Sequence, residues 1–202
     1  MQHLNGHLLC AIDCETTGLI AGFHDIIQIC FLPLDSRCDP STEYLPFDLK
    51  LIPRRKENID PKALRINRSH ISDILLSGVD PDIGADLFDD WFDSLKLPEG
   101  KRIMPLAHNW PFDSAFIIDW MGWLNFNFRI DGRFRDTMAI ASYYNDVADI
   151  YNEQYPYPKV TLRYIASQME ILVDESRTHD AIYDCVLTAE IYKKLLRQKI
   201  GF

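Results

Sequence analysis

Apolar residues fall into short unbroken runs early in the chain and into helical stripes later. Leu8-Leu9-Cys10-Ala11-Ile12 is continuous and leads into a polar, glycine-containing turn. A run this short and unbroken predicts a strand buried on both faces. Ile26–Leu34 and Tyr44–Ile52 are further strand candidates, and Pro46 places the latter at an edge or an irregularity. Pro61–Ser69 and Asp82–Leu95 read as helices; Ile83, Leu87, Trp91 and Leu95 share one stripe of the second, and Pro98-Glu99-Gly100 closes it. Ile103–Ala107 predicts another strand. Asn109 and Pro111 supply start chemistry for a helix running to Leu124. Phe128–Ile130 reads as a short strand, Thr137–Tyr144 as a helix and Asn145–Pro158 as a loop. Thr161 stands where it would cap a helix to Met169, and a last helix spans Ala181–Gln198. Strands first and alternating helices later predict a mixed α/β domain with helices on a central sheet. No composition shift marks a boundary, so residues 1–202 read as one domain.

The chain of 202 residues is long enough to bury a sizeable core. Its net charge of −9 argues against a broad basic surface that coats nucleic acid, but does not exclude a protein that grips only a few nucleotides, so charge narrows the binding mode without deciding the function. Arg54, Arg55, Lys56, Arg129, Arg133, Arg135 and Lys159 read mostly as solvated surface charges, and none is assigned to phosphate. The five cysteines include no C-x-x-C pair, and Cys10, Cys30 and Cys185 lie in apolar runs. Reduced, buried thiols of a cytoplasmic protein are expected. No segment approaches the ~20 apolar residues of a membrane helix, so no membrane partner is expected.

Asp13 and Glu15 follow the first apolar run at once. Strand residues two apart face the same way, so both carboxylates project together from the end of a buried strand. Like charges this close repel, and burial raises the cost. A divalent cation between them removes the conflict, because hard cations take oxygen ligands of this kind. A solvated acidic turn explains the pair taken alone. Asp113 shifts that balance. On a helix it shares a stripe with Phe116, Ile117, Trp120 and Leu124, where a merely solubilising charge is out of place. An aspartate in a first helical turn also suits the helix dipole. Asp184 aligns with Leu187, Ile191 and Leu195, on a helix whose second stripe is Ile182, Val186, Ala189 and Leu196. An unpaired carboxylate on such a helix is expensive, and a cation shared with Asp13 and Glu15 would partner it. His179 stands at the start of the same helix. A lone histidine is more often structural, but beside a carboxylate cluster it becomes a candidate general base.

Three blocks, taken together and in order, resemble the DEDDh branch of the DnaQ-like 3′→5′ exonucleases. They are Ile12-Asp13-Cys14-Glu15-Thr16-Thr17-Gly18-Leu19, Ala107-His108-Asn109-Trp110-Pro111-Phe112-Asp113 and His179-Asp180-Ala181-Ile182-Tyr183-Asp184. They are similar to the family's D-x-E-T-T-G-L, H-N-x-x-F-D and H-D-A-x-x-D patterns. The sister branch carries a tyrosine four residues before the last aspartate. Here that position is Asp180, and Tyr183 sits next to Asp184. Asp136-Thr137 and Thr161-Leu162 are weaker similarities. The chain departs from the family at Ile27-Gln28-Ile29, where a glutamate is usual, and matches it poorly over residues 35–100.

The resemblance implies a ribonuclease-H-like fold, a mixed five-stranded sheet flanked by helices. It implies two divalent cations, Mg²⁺ or Mn²⁺: one held by Asp13, Glu15 and Asp184, the other by Asp13 with Asp113. His179 would accept the proton of the attacking water, and nucleoside 5′-monophosphates would be released. Thr16, Thr17, Gly18 and Leu19 would contact the terminal nucleotide, with Gly18 letting backbone approach the ligand. Asn109 and Phe112 would lie along the strand path. Core packing is the plain alternative for Leu19 and Phe112. The implied partner is the 3′ end of single-stranded DNA or RNA. A polymerase or processing complex would be a separate chain, and dimers among some relatives keep a homodimer open. The competing expectation is a non-catalytic nucleic-acid-binding or scaffold module that kept the fold, which would need neither the carboxylates nor His179.

Overall fold

The computed structural model describes residues 4–66, 71–177 and 179–198. The central strand β1 (Leu8–Thr16) pairs antiparallel with β2 (Ile26–Pro33), which pairs antiparallel with β3 (Phe47–Lys50). On its other side β1 runs parallel to β4 (Ile103–Ala107), and β4 runs parallel to β5 (Arg135–Asp136). The result is a mixed five-stranded sheet of order β3-β2-β1-β4-β5. β1 and β4 are buried along nearly their whole length, as their apolar runs require. β1 is longer than its apolar run: it continues through Asp13 and Glu15 to Thr16, with a register shift between Glu15 and Thr16.

The alternation of β1 divides the core. Cys10, Ile12 and Cys14 join the cluster beneath α3 (Pro81–Ser94), α4 (Trp110–Met121) and α5 (Trp123–Arg129). Leu9 and Ala11 join the opposite cluster with Ala181, Cys185, Ala189 and Tyr192. The helices of that side are α6 (Thr137–Ile150), α7 (Leu162–Gln168) and α8 (Ala181–Leu195), which share a further core around Ala141, Tyr157, Ile165 and Leu187. Two short helices, α1 (Pro61–Ile66) and α2 (Ile71–Ser77), cross between β3 and α3. All five cysteines are free and buried. No helix among the described residues is long and apolar enough to cross a membrane.

Several expectations are corrected. In α3 the buried positions include Gly84 and Phe88, whereas Ile83 and Leu87 are exposed. Gly84 sets this face: a Cβ there would lie 2.6 Å from Leu51 Cδ2, so the helix sits close on the β3 side. Phe88 then packs with Phe31, Phe47, Trp91 and Trp120 at centroid separations of 4.8–6.0 Å. The helix expected to reach Leu124 ends at Met121. Gly122, at φ +79°, turns the chain into α5, which leaves Leu124 82% exposed. Phe128 and Arg129 are therefore helical, and Ile130 makes only an isolated bridge to Ile103. The strand expected over Tyr44–Ile52 is confined to Phe47–Lys50. The helix expected over Pro61–Ser69 is α1, and its last expected residues lie outside the described residues. α6 continues through the segment read as loop to Ile150. Asn145 faces inward there, its side chain donating to Tyr157 O at 2.7 Å and accepting from Tyr157 N at 2.9 Å.

One carboxylate starts two helices. Asp136 caps α6 by accepting from Met138 N at 2.9 Å and Ala139 N at 3.1 Å. It also accepts from Asn109 N at 3.2 Å and Trp110 N at 2.8 Å at the head of α4. Asn109 itself, at φ +75°, makes no side-chain cap bond, contrary to its expected role. Asp136→Ala therefore removes two caps, and unfolding in urea should show a loss of roughly 2–4 kcal/mol, about twice that of one cap. A loss below about 1 kcal/mol would mean that the shared cap carries little of the stability.

Candidate active site

The site forms where β1 outruns β4. The last β1–β4 pair is Ala11 with Leu106, and beyond it the β4 side of β1 is open. α4 fills that side: Asp113, in its first turn, accepts from Cys14 N at 3.0 Å. The carboxyl of this residue, which is 3% exposed, thus replaces a strand partner between Asp13 and Glu15. The local alternation puts Asp13 and Glu15 on the α8 face of the sheet with Leu9 and Ala11. α8 packs on that face and presents Asp184, which is buried in its first turn.

His179 stands at the entrance of α8, as its place in the sequence predicts, just ahead of Asp180, the N-cap residue. Its backbone lies at φ +65°, an uncommon conformation for a residue with a side chain, and its N–H donates to Asp184 Oδ2 at 3.3 Å. One ligand atom each from Glu15, His179 and Asp184 lie within 4.8 Å of one another. Asp13, partly exposed, lines the same cleft, an open space of about 250 Å³.

The electrostatics show carboxylates gathered against their preference. Burial first, and then repulsion from Asp184 and Asp113, pushes Glu15 up to about 8. Burial pushes Asp113 up to about 8, against the pull of the Cys14 N–H. Asp184 rises to about 6 through burial, opposed by the His179 N–H and by Arg163. Asp13 is raised well above the usual carboxylate range by burial and by Asp113, Glu15 and Asp184. Four carboxyls that resist ionising together, beside an imidazole, are a donor set suited to divalent cations, which replace the protons and relieve the repulsion.

Thr16, Gly18, Leu19 and Phe112 also line the cleft. Leu19 is 78% exposed, so it is no core residue. Thr17, Asn109 and Asp113 stand outside the lining. Thr17 is fully buried; its hydroxyl accepts from Asp25 N at 2.9 Å and its carbonyl accepts from Asp60 N at 2.8 Å, which ties the loop to the start of α1. What approaches Gly18 closely is a ring of the protein itself: a Cβ would lie 2.1 Å from His24 Cδ2. His24 Nδ1 accepts from Ile20 N at 3.1 Å. Arg55, expected as a solvated charge, holds the far end of the loop. It donates to Asp25 at 3.0 Å, Asp119 at 2.8 Å and His24 O at 3.1 Å.

Sequence reasoning gave no role to five lining residues, of which Cys14 is placed by its backbone bond to Asp113. His108 lies in a quoted block but received no role. Its Nδ1 is 2.8 Å from Thr137 Oγ1, and burial lowers its pKa. Leu162, one residue beyond the weak Thr161 signal, and Ala63 and Ile66 of α1 complete the apolar wall. The last two come from the stretch with no legible family match.

The sheet order, the flanking helices and the acidic cleft at the end of β1 define a ribonuclease-H-like exonuclease fold of the DnaQ type. The chain belongs to the RNase T exonuclease family, whose family model matches residues 10–192. Cell-death related nuclease 4 (CRN-4) superposes with a TM-score of 0.71 at 17% identity, over 94% of this chain and 63% of that one. The zinc-bound E. coli exonuclease I–ssDNA complex gives 0.70 at 17% identity, over 93% and 40%. The nuclease domain of 3′hExo, a DEDDh family member bound to rAMP, gives 0.66 at 15% identity, over 94% and 92%. The chain thus spans less than two thirds of CRN-4 and of exonuclease I. Among curated proteins none matches.

The raised carboxyls set a pH dependence. In the folded, metal-free protein Glu15, Asp113 and Asp184 hold their protons up to about 8, about 8 and about 6. Unfolded carboxyls release theirs at about 4. The folded state therefore binds more protons between these values, and its stability falls as pH rises from about 4 to about 8. Thermal unfolding in EDTA should show a lower Tm at pH 8 than at pH 5.5, and Mg²⁺ or Mn²⁺ should raise Tm more at pH 8. An equal metal effect at both pH values would contradict this reading of the cluster.

Proposed function

We propose that the protein is a metal-dependent 3′→5′ exonuclease that acts on single-stranded nucleic-acid ends and releases nucleoside 5′-monophosphates. The observation that carries this is the convergence of Asp13, Glu15, Asp184 and His179 on one open cleft, with Asp113 anchored to the backbone between the first two. Divalent cations, Mg²⁺ or Mn²⁺, held by Asp13, Glu15 and Asp184 and by Asp13 with Asp113, would supply a more acidic water and charge stabilisation for the entering and leaving oxygens.

The protein's own groups do the rest. His179 takes the proton of the attacking water as the bond from phosphorus to the 3′ oxygen breaks. The positive φ of His179 and its N–H bond to Asp184 direct the imidazole into the cleft. Leu19 and Phe112 offer apolar faces to the terminal nucleotide, and the backbone of Thr16 and Gly18 lines the space beside them. Thr17 and Asn109 shape this wall from behind. Apolar contact without base-edge hydrogen bonds makes the grip tolerant of sequence. Residues 1–202 act as one exonuclease domain in this reading, with the family match over 10–192 as its support. The ssDNA complex of exonuclease I and the rAMP complex of 3′hExo support the substrate class.

The test is to incubate 5′-labelled single strands of DNA and of RNA with Mn²⁺ or with EDTA and read the product lengths. A ladder that shortens from the 3′ end and vanishes in EDTA is expected. Asp13→Ala should abolish it, and His179→Ala should slow it roughly 10²–10⁴-fold, the range of general-base catalysis. Internal fragments would point to an endonuclease. Affinity without turnover would point to a binding module.

A further inference from the structure

Tyr183 sits beside the last carboxylate of the site, in the helix that carries it, and the mechanism above gives it no task. Its side chain is turned toward the segment that leads into His179. Its hydroxyl accepts from Asp174 N at 2.7 Å, and its ring lies 4.9 Å beneath the Arg177 guanidinium. Asp174 in turn fixes the turn between these contacts. Its carboxylate accepts from Ser176 N at 2.9 Å and Ser176 Oγ at 2.6 Å, and its carbonyl accepts from Arg177 N at 3.0 Å. Two residues later comes His179, with its positive φ and its N–H on Asp184.

A residue in an uncommon backbone region persists there only where its surroundings over-determine it. Here adjacent residues of α8 hold the segment at two points: Tyr183 grips the 174–177 turn, and Asp184 grips the backbone of His179. The described residues of 171–180 include no helix or strand of their own, so these side-chain contacts stand in for regular pairing. The rest of the Tyr183 ring packs on the core between α6, α7 and α8, which gives the grip a rigid base.

We propose that Tyr183 is the positioning residue for His179: it holds the 174–177 turn through hydroxyl and ring, so that the imidazole stays in the carboxylate cleft. This rests on the exonuclease reading for its kinetic consequence, but not for its structural one.

The experiment compares Tyr183→Leu, which loses hydroxyl and ring, with Tyr183→Phe, which loses the hydroxyl alone, in the full chain. Backbone hydrogen exchange is followed at Asp174, Ser176, Arg177 and His179. Exchange should rise at these four amides in Tyr183→Leu while β1 and the rest of α8 keep their protection and Tm stays within a few degrees. On labelled single strands, kcat should fall roughly 10–100-fold with KM within a few-fold, a loss within the reach of a misplaced general base. Tyr183→Phe should lie between this variant and the wild type. In a His179→Ala background Tyr183→Leu should cost nothing further, because a residue that acts only through His179 is not additive with it. Additive losses, unchanged exchange or an unchanged kcat would overturn the proposal. If the wild type proves to have no nuclease activity, the exonuclease reading falls by itself. The exchange pattern then still decides whether Tyr183 holds the turn. If Tyr183→Leu does not fold, Tyr183→Phe decides by the same readings.

Discussion

The mutual repulsion of four carboxyls at the end of β1 is the constraint that much of the surrounding structure answers. No single element could hold them. β1 supplies two on one face, α8 brings a third down onto that face, and α4 brings the fourth around the end of the sheet. Each lies on an element buried for independent reasons, so the core that stabilises the fold also bears the cost of crowding the charges. Asp136 belongs to the same design. By heading α4 and α6 together it fixes the helix that carries Asp113 relative to the sheet.

This division of labour decides what could be read from sequence. β1 and β4 were legible because a strand buried on both faces needs an unbroken apolar run. Asp113 and Asp184 were legible because a carboxylate on an apolar stripe contradicts its surroundings. The face of α3 was misread because Ile83 and Leu87 outweigh a glycine in any count of apolar residues, whereas packing follows the gap that Gly84 leaves. β5 is two residues long and has no periodicity to detect. α5 depends on Gly122 ending one helix and admitting another, a choice made by φ +79° at one residue.

The site shows the same split. The charged residues announced themselves, because charge in the wrong place is a strong signal. The apolar wall did not, because Ala63, Ile66 and Leu162 look like ordinary helix residues until the fold gathers them with Leu19 and Phe112 around one cleft. Placing Tyr183 against the sister branch's tyrosine position settled only what it is not. Its contacts with Asp174 and Arg177 come from a turn without periodic pattern, which only coordinates reveal.

The His24 ring occupies the volume that a side chain at residue 18 would fill. The two positions therefore share one space and cannot change independently. A lineage that places any larger residue at 18 must first, or at once, shrink or turn away the residue at 24, and either step frees Ile20 N–H from its acceptor. Variation in the loop beside the cleft should thus come in matched pairs, and divergence of the cleft-facing surface should follow the seven residues from 18 to 24 as one unit rather than residue by residue.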